Sequence, residues 1–174
     1  AQDFKPNRLE AAKDVAKTFI KDRKGDRLGL IVFAGESYIQ CPLTRDLDVL
    51  LEFTDQIEII DSEHDGTAIG MAIANAINRL RDSEAKSKTI ILLSDGSNNK
   101  GELDPLTAAE LAAKFDIKIY TVAAGTRGFA PYPVKDAWGR EFIQKVQVDV
   151  DEETLQEIAQ ITNGKFFRAT DNNS

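Results

Sequence analysis

Hydrophobic positions along this chain alternate between helical spacing and short continuous runs. Leu9, Ala12, Val15, Ala16, Phe19 and Ile20 recur at three- and four-residue intervals. That predicts an amphipathic helix opening near Asn7, with Pro6 tolerated just before or inside its first turn. After a polar turn at Lys24, Gly25 and Asp26, residues 28–33 carry no polar side chain at all. Such a run fits a strand covered on both faces. Ala34, Gly35 and Glu36 turn the chain, and residues 37–40 are short enough to be an edge strand in a hairpin.

The same alternation continues to the end. Leu47, Leu50, Leu51, Phe53 and Ile57 predict a helix over 45–57 with Thr44 as its cap. Ile69, Ala72, Ile73, Ala76, Ile77 and Leu80 predict a clearer one over 69–80. Residues 89–93 form the most strand-like run and end in the turn-forming Ser94, Asp95, Gly96, Ser97, Asn98 and Asn99. Beyond them lie a helix over 105–115, a buried strand over 117–123, a helix over 154–162 and a closing strand over 165–168. Asp151, Glu152 and Glu153 favour the start of the last helix, and Asn163 and Gly164 its end. Residues 125–147, with Pro131 and Pro133, depart from the alternation and are read as an inserted loop or small hairpin.

Helices alternating with buried strands predict one α/β domain over residues 1–174, doubly wound, with a mostly parallel sheet and helices on both faces. No internal repeat or low-complexity linker interrupts it. In such folds ligands sit outside the carboxyl ends of the strands. That directs attention to Gly35 and Glu36, to residues 94–99 and to residues 125–127.

Composition narrows the partners. A chain of 174 residues with 42% hydrophobic content can bury one substantial core. With 29 acidic against 22 basic residues and a net charge of −7, its average surface repels phosphate backbones and anionic lipids, so nucleic acid is not expected as a partner. No apolar run reaches the roughly 18 to 20 residues needed to span a bilayer, and no secretory signal pattern is present. These residues are expected to be soluble. A first residue other than Met, at a helix lead-in, is read as the start of an excised piece. Cys41 can form no internal disulfide and, before Pro42 with no base nearby, is read as a small buried residue. His64, the only histidine, lies among Glu63 and Asp65 and is read as a surface residue.

Two short motifs carry candidate chemistry. Ser94-Asp95-Gly96-Ser97 places a carboxylate and two hydroxyls at a strand end, where hard oxygen ligands could face a divalent cation. Its ordinary alternative is an Asp-Gly turn. Asp65-Gly66-Thr67 offers another hydroxyl ahead of a helix, with an N-cap and its preceding turn as the ordinary alternative.

Together, at this spacing, the two motifs resemble the second and third segments of the metal-ion-dependent adhesion site of von Willebrand factor A (VWA) domains. Residues 28–35 resemble that family's second strand and residues 117–125 its fifth. The resemblance implies a VWA/Rossmann-like three-layer sandwich, with Thr67 giving a hydroxyl and Asp95 a carboxylate to Mg2+ or Mn2+. The family's first segment, an Asp-x-Ser-x-Ser loop at the end of strand one, is not in the sequence. Residues 1–9 resemble the stretch just after that loop, so the first central strand is expected to lie outside the sequence. An incomplete sheet would expose strand edges and an apolar trench, favouring self-association or a borrowed strand. Two oxygen ligands would leave the cation mostly hydrated and weakly held.

Finer resemblance is to the bacterial aerotolerance-operon VWA proteins, the Bat type. It is carried by residues 2–10, by Gly125-Thr126-Arg127-Gly128 with Pro131-Tyr132-Pro133, and by Gly164-Lys165-Phe166-Phe167-Arg168-Ala169-Thr170. The resemblance implies a periplasmic domain of a bacterial inner-membrane protein linked to oxidative-stress tolerance. It further implies a non-enzymatic, protein-binding module in which a partner's carboxylate completes the metal coordination. Glu36, Ser97, Asn98 and the aromatics Phe129, Tyr132 and Trp138 would shape the rim, although the aromatics serve equally well to pin the insertion to the sheet. A metal-independent scaffold is the alternative. A Mg2+-dependent hydrolase using Asp95 or Ser94 is a further one, against which stand the single histidine and the absence of a Gly-x-Ser-x-Gly elbow or a Gly-x-x-x-x-Gly-Lys loop.

Overall fold

In a computed structural model the described residues are 8–58, 67–94, 102–124, 128–135, 141–148 and 151–169. They form α1 (Arg8–Lys21), β1 (Leu28–Phe33), β2 (Ser37–Thr44), α2 (Leu47–Asp55), α3 (Ile69–Leu80) and β3 (Lys88–Ser94). Then come α4 (Pro105–Lys114), β4 (Ile117–Ala124), β5 (Gly128–Lys135), β6 (Glu141–Val148), α5 (Glu152–Ile161) and β7 (Phe166–Ala169). Strands β3, β4 and β7 make a parallel sheet with β4 in the middle, while β1 with β2 and β5 with β6 pair as antiparallel hairpins. This is the α/β architecture that the alternation predicts.

Three of the helices start where the sequence supplies a cap. Asp46, Asp104 and Asp151 each accept the amide of the residue three positions on, opening α2, α4 and α5. Pro105 occupies the first turn of α4, where its missing N–H costs nothing. Asp46, not Thr44, caps α2; the Thr44 hydroxyl instead accepts the Asp46 amide, which shifts the helix start to Leu47. Helices α4 and α5 are succeeded by Asp116 and Asn163, both at φ 54°, a left-handed conformation that short polar side chains tolerate.

Two apolar clusters sit on the two sides of the strand layer. The larger joins Ile69, Ile73 and Ile77 of α3, the alanines of α4, Leu155 and Ile158 of α5, and Leu92, Ile117, Ile119 and Ala123 of β3 and β4. The smaller joins Ile20 of α1, Cys41 of β2 and Leu50 of α2, with Leu28 and Leu30 of β1 packed against it. Among the described residues no buried side-chain polar atom lacks a partner: the Thr121 hydroxyl donates to the Leu155 carbonyl at 2.8 Å, and Thr162 Oγ1 accepts the Ile119 amide at 2.9 Å. Gly164 lies so close to β4 that a Cβ there would overlap the Ile119 carbonyl oxygen.

Strand β2 runs four residues beyond the expected 37–40, through Pro42 to Thr44. Its register with β1 shifts between Leu28 and Leu30 and again between Leu30 and Ile31, so exposed Pro42 falls in a bulged stretch of an edge strand, where a missing N–H is tolerated. Within 125–147 the backbone forms the hairpin β5–β6, with Pro131 opposite Lys145 and Pro133 opposite Ile143.

Candidate functional site

The sheet's carboxyl edge is assembled by two close backbone approaches and one side-chain bond. Just past β1, the Ala34 carbonyl accepts the Ala68 amide at 2.8 Å, fixing the residue before α3 to the end of the hairpin. Gly70 in the first turn of α3 lies against the backbone of Leu103 and Asp104, where α4 begins, and no Cβ fits between them. The Asn75 side chain donates to the Ser37 hydroxyl at 2.5 Å, tying the middle of α3 to the start of β2. The amino end of α3, the end of β1 and the entry to α4 therefore meet at one edge.

That geometry places Thr67 and the end of β3. Thr67 precedes Ala68, the N-cap residue of α3, and is half-buried. Helix α3 runs away from the edge, a short link at 81–87 reverses the chain, and β3 returns to end at buried Ser94. Asp95 comes directly after Ser94, so the chain leaves β3 at the edge where Thr67 stands. Asp65, Gly66 and residues 95–100, with Asp95, Ser97 and Asn98 among them, lie outside the described residues, as does His64. The side chains of Phe129, Tyr132 and Trp138 do too.

Helix α3 has no side-chain cap, and its N-terminus carries the partial positive charge of the helix dipole. A cation there needs anionic oxygen to offset that field. Among the described residues no group of three or more His, Cys, Asp or Glu side chains converges to hold a metal. The local donor set fits a hard, largely hydrated divalent cation only when a carboxylate such as that of Asp95 joins the Thr67 hydroxyl.

Glu36, expected at the rim, is exposed in the turn where the Ala34 amide donates to the Glu36 carbonyl at 2.7 Å. Cys41 is buried, and burial raises its thiol pKa, as befits a core residue. Sequence reasoning missed the Ala34–Ala68 bond and the Gly70 approach, which position Thr67. A glycine inside the strong helical pattern of 69–80 was the available signal, since such a residue weakens a helix unless close packing requires it.

The whole chain, residues 1–174, matches a family model described as the von Willebrand factor type A domain. An uncharacterized protein of Borreliella burgdorferi is 32% identical over 165 residues, covering 95% of this chain and 48% of its own length. The chain thus spans about half the length of the curated relatives it matches. A crystal structure of an aerotolerance-related membrane protein from Bacteroides fragilis superposes with a TM-score of 0.80 at 31% identity, covering 99% of this chain and 85% of that one. BatB from Bacteroides thetaiotaomicron gives 0.80 at 32%, covering 99% and 84%.

Proposed function

The chain belongs to the von Willebrand factor type A family, and on that premise we propose that it is a protein-binding module whose carboxyl edge holds a divalent cation, Mg2+ or Mn2+. The Thr67 hydroxyl and the Asp95 carboxylate are the ligands this chain contributes, and a carboxylate from a protein partner completes the coordination. The observation that supports this most is the Ala34–Ala68 hydrogen bond, which holds Thr67 at the edge where β3 ends just before Asp95. Two protein oxygens leave most positions to water, which Mg2+ accepts at the cost of weak binding. The partner's anion also offsets the field of the α3 N-terminus.

Relatives described as aerotolerance-related and membrane proteins support placing the parent in a bacterial envelope, with this domain in the periplasm and serving oxidative-stress tolerance. Among the described residues no helix is long and apolar enough to cross a membrane. The test is capture of envelope proteins on the immobilised chain with Mn2+ and with chelator. Partners retained only with metal, and lost with Asp95→Ala, support the reading; retention indifferent to both favours the metal-independent scaffold. Mg2+-dependent turnover of p-nitrophenyl phosphate, lost in Asp95→Ala, would instead support the hydrolase.

A further inference from the structure

The hairpin β5–β6 has two unlike edges. Strand β5 carries Pro131 and Pro133, set opposite Lys145 and Ile143 of β6. Proline has no N–H to donate, so in a sheet it takes positions whose nitrogen points away from the neighbouring strand. In an antiparallel pair such positions alternate, and the residue directly across from one also turns its own N–H and C=O outward. The outward row of β5 is therefore 129, 131, 133 and 135, interrupted where the prolines lack donors. The outward row of β6 is Glu141, Ile143, Lys145 and Gln147, each with its N–H. One edge is closed to strand addition and the other is open.

Among the described residues β6 pairs with β5 alone, and the two strands pack chiefly against each other. A two-stranded ribbon is marginal in water, and further strands or a packed helix make it stable. Charge along the open edge says which strand fits it. Within the hairpin Glu141 stands opposite Lys135, while Lys145 stands opposite Pro131 and so has no charged residue directly across. Glu141 and Lys145 flank Ile143 in the outward row. A second β6 laid antiparallel along this edge and centred on Ile143 sets each Glu141 opposite the Lys145 of the other copy. Centring on Glu141 or on Lys145 brings like charges together, as does a parallel pairing in register. Centring on Gln144 puts Lys145 against Ile143 and leaves no opposite charges directly across.

We propose that the outer edge of β6 is a self-association site, where two copies of this chain pair antiparallel about a two-fold axis at Ile143. The two hairpins become one four-stranded sheet in the order β5-β6-β6-β5, with the proline-bearing strands outermost. That order ends growth, because the edges left exposed are the ones with missing donors, and a closed dimer forms rather than a fibre. Each facing pair in the outward row exchanges two main-chain bonds, so Glu141, Ile143 and Lys145 supply about six across the axis. Main-chain bonds give the affinity, and the facing Glu141 and Lys145 positions set the register. The hairpin leaves β4 after Ala124 and rejoins the chain before Asp151, the cap of α5, so pairing through it requires no change in the elements on either side.

The proposal stands apart from the metal reading, so it is tested in chelator, by sedimentation equilibrium of the 174-residue chain. Two charge variants are compared with the parent. One is Lys145→Glu; the other combines Lys135→Glu with Glu141→Lys, which keeps opposite charges facing within the hairpin. The parent should pass from monomer to dimer as concentration rises, and each variant alone should dimerise about tenfold or more weakly, because like charges then face each other twice. An equimolar mixture of the two variants restores Glu against Lys at both positions and should dimerise as the parent does. Mild oxidation should cross-link Ile143→Cys into covalent dimers and leave Gln144→Cys monomeric, with the parent, whose Cys41 is buried, as the control. A parent that stays monomeric at the highest soluble concentration overturns the proposal, as does a mixture that fails to associate. Association indifferent to the charge variants, or cross-linking through Gln144→Cys instead, overturns it too.

Discussion

Ile90 and Ile119 are register partners in adjacent strands β3 and β4, yet Ile119 is fully buried and Ile90 only half-buried against the same core. Identical side chains in neighbouring positions thus experience different surroundings, because β4 is flanked on both sides and, among the described residues, β3 on one. Removing the Ile119 side chain leaves a closed cavity, whereas the Ile90 site already meets solvent. Ile119→Ala should cost about 3 to 4 kcal/mol and Ile90→Ala about 1 to 2 kcal/mol. Urea denaturation of the two variants checks the order, and equal losses would mean that β3 is as fully enclosed as β4.

Thr162 anchors the end of α5 to the middle strand. Its buried hydroxyl accepts the Ile119 amide at 2.9 Å and lies 3.1 Å from the Ile158 carbonyl. Thr162→Val keeps the shape and removes the oxygen, leaving a buried amide unpaired. A loss of about 1 to 3 kcal/mol is expected, measured by denaturant unfolding, with Thr162→Ser retaining most of the stability.

Gly70 and Gly164 make separable tests of positioning. Each is a glycine whose added Cβ would overlap a backbone carbonyl, that of Leu103 and that of Ile119 respectively. Alanine at either site should destabilise by about 1 to 3 kcal/mol. Only Gly70→Ala displaces the start of α3 and so Thr67. Under conditions where both variants remain folded, Mn2+ affinity should fall in Gly70→Ala and hold in Gly164→Ala; equal affinities would detach Thr67 from the site.

Cys41 is buried in the smaller cluster, and burial raises its thiol pKa above the ordinary value. Alkylation by iodoacetamide should be at least about a hundredfold slower in the folded chain than in urea. Its pH midpoint should lie higher in the folded state. Linkage sets the sign: with the folded pKa raised, the neutral thiol's contribution to stability is fully present below the unfolded pKa and is lost as pH rises through the folded one. Rapid native labelling near neutral pH would contradict the burial.

Much of the fold is legible in the sequence because local patterns and tertiary packing agree. The apolar stripe over 69–80 coincides with α3, and the run at 89–93 falls inside β3. Strand β2 is under-read because Pro42 looks like a breaker, and only the register shifts against β1 make room for it. The start of α2 is misplaced because Thr44 and Asp46 are both plausible caps, and only geometry shows which side chain reaches the Val49 amide. For the site, the sequence supplies Thr67 and Asp95 as chemical types. It cannot show that Thr67 is held by a backbone bond between Ala34 and Ala68, since main-chain contacts between distant residues leave no mark in side-chain pattern.

Calorimetric titration of Mn2+ and Mg2+ into the 174-residue chain, alongside Thr67→Ala and Asp95→Ala, decides whether these two side chains hold a cation. Expected is weak binding of one cation per chain, abolished by Asp95→Ala and reduced about tenfold or more by Thr67→Ala, with thermal stability of both variants near that of the parent. Binding that survives both substitutions, or none at millimolar metal, would contradict a cation site built on Thr67 and Asp95.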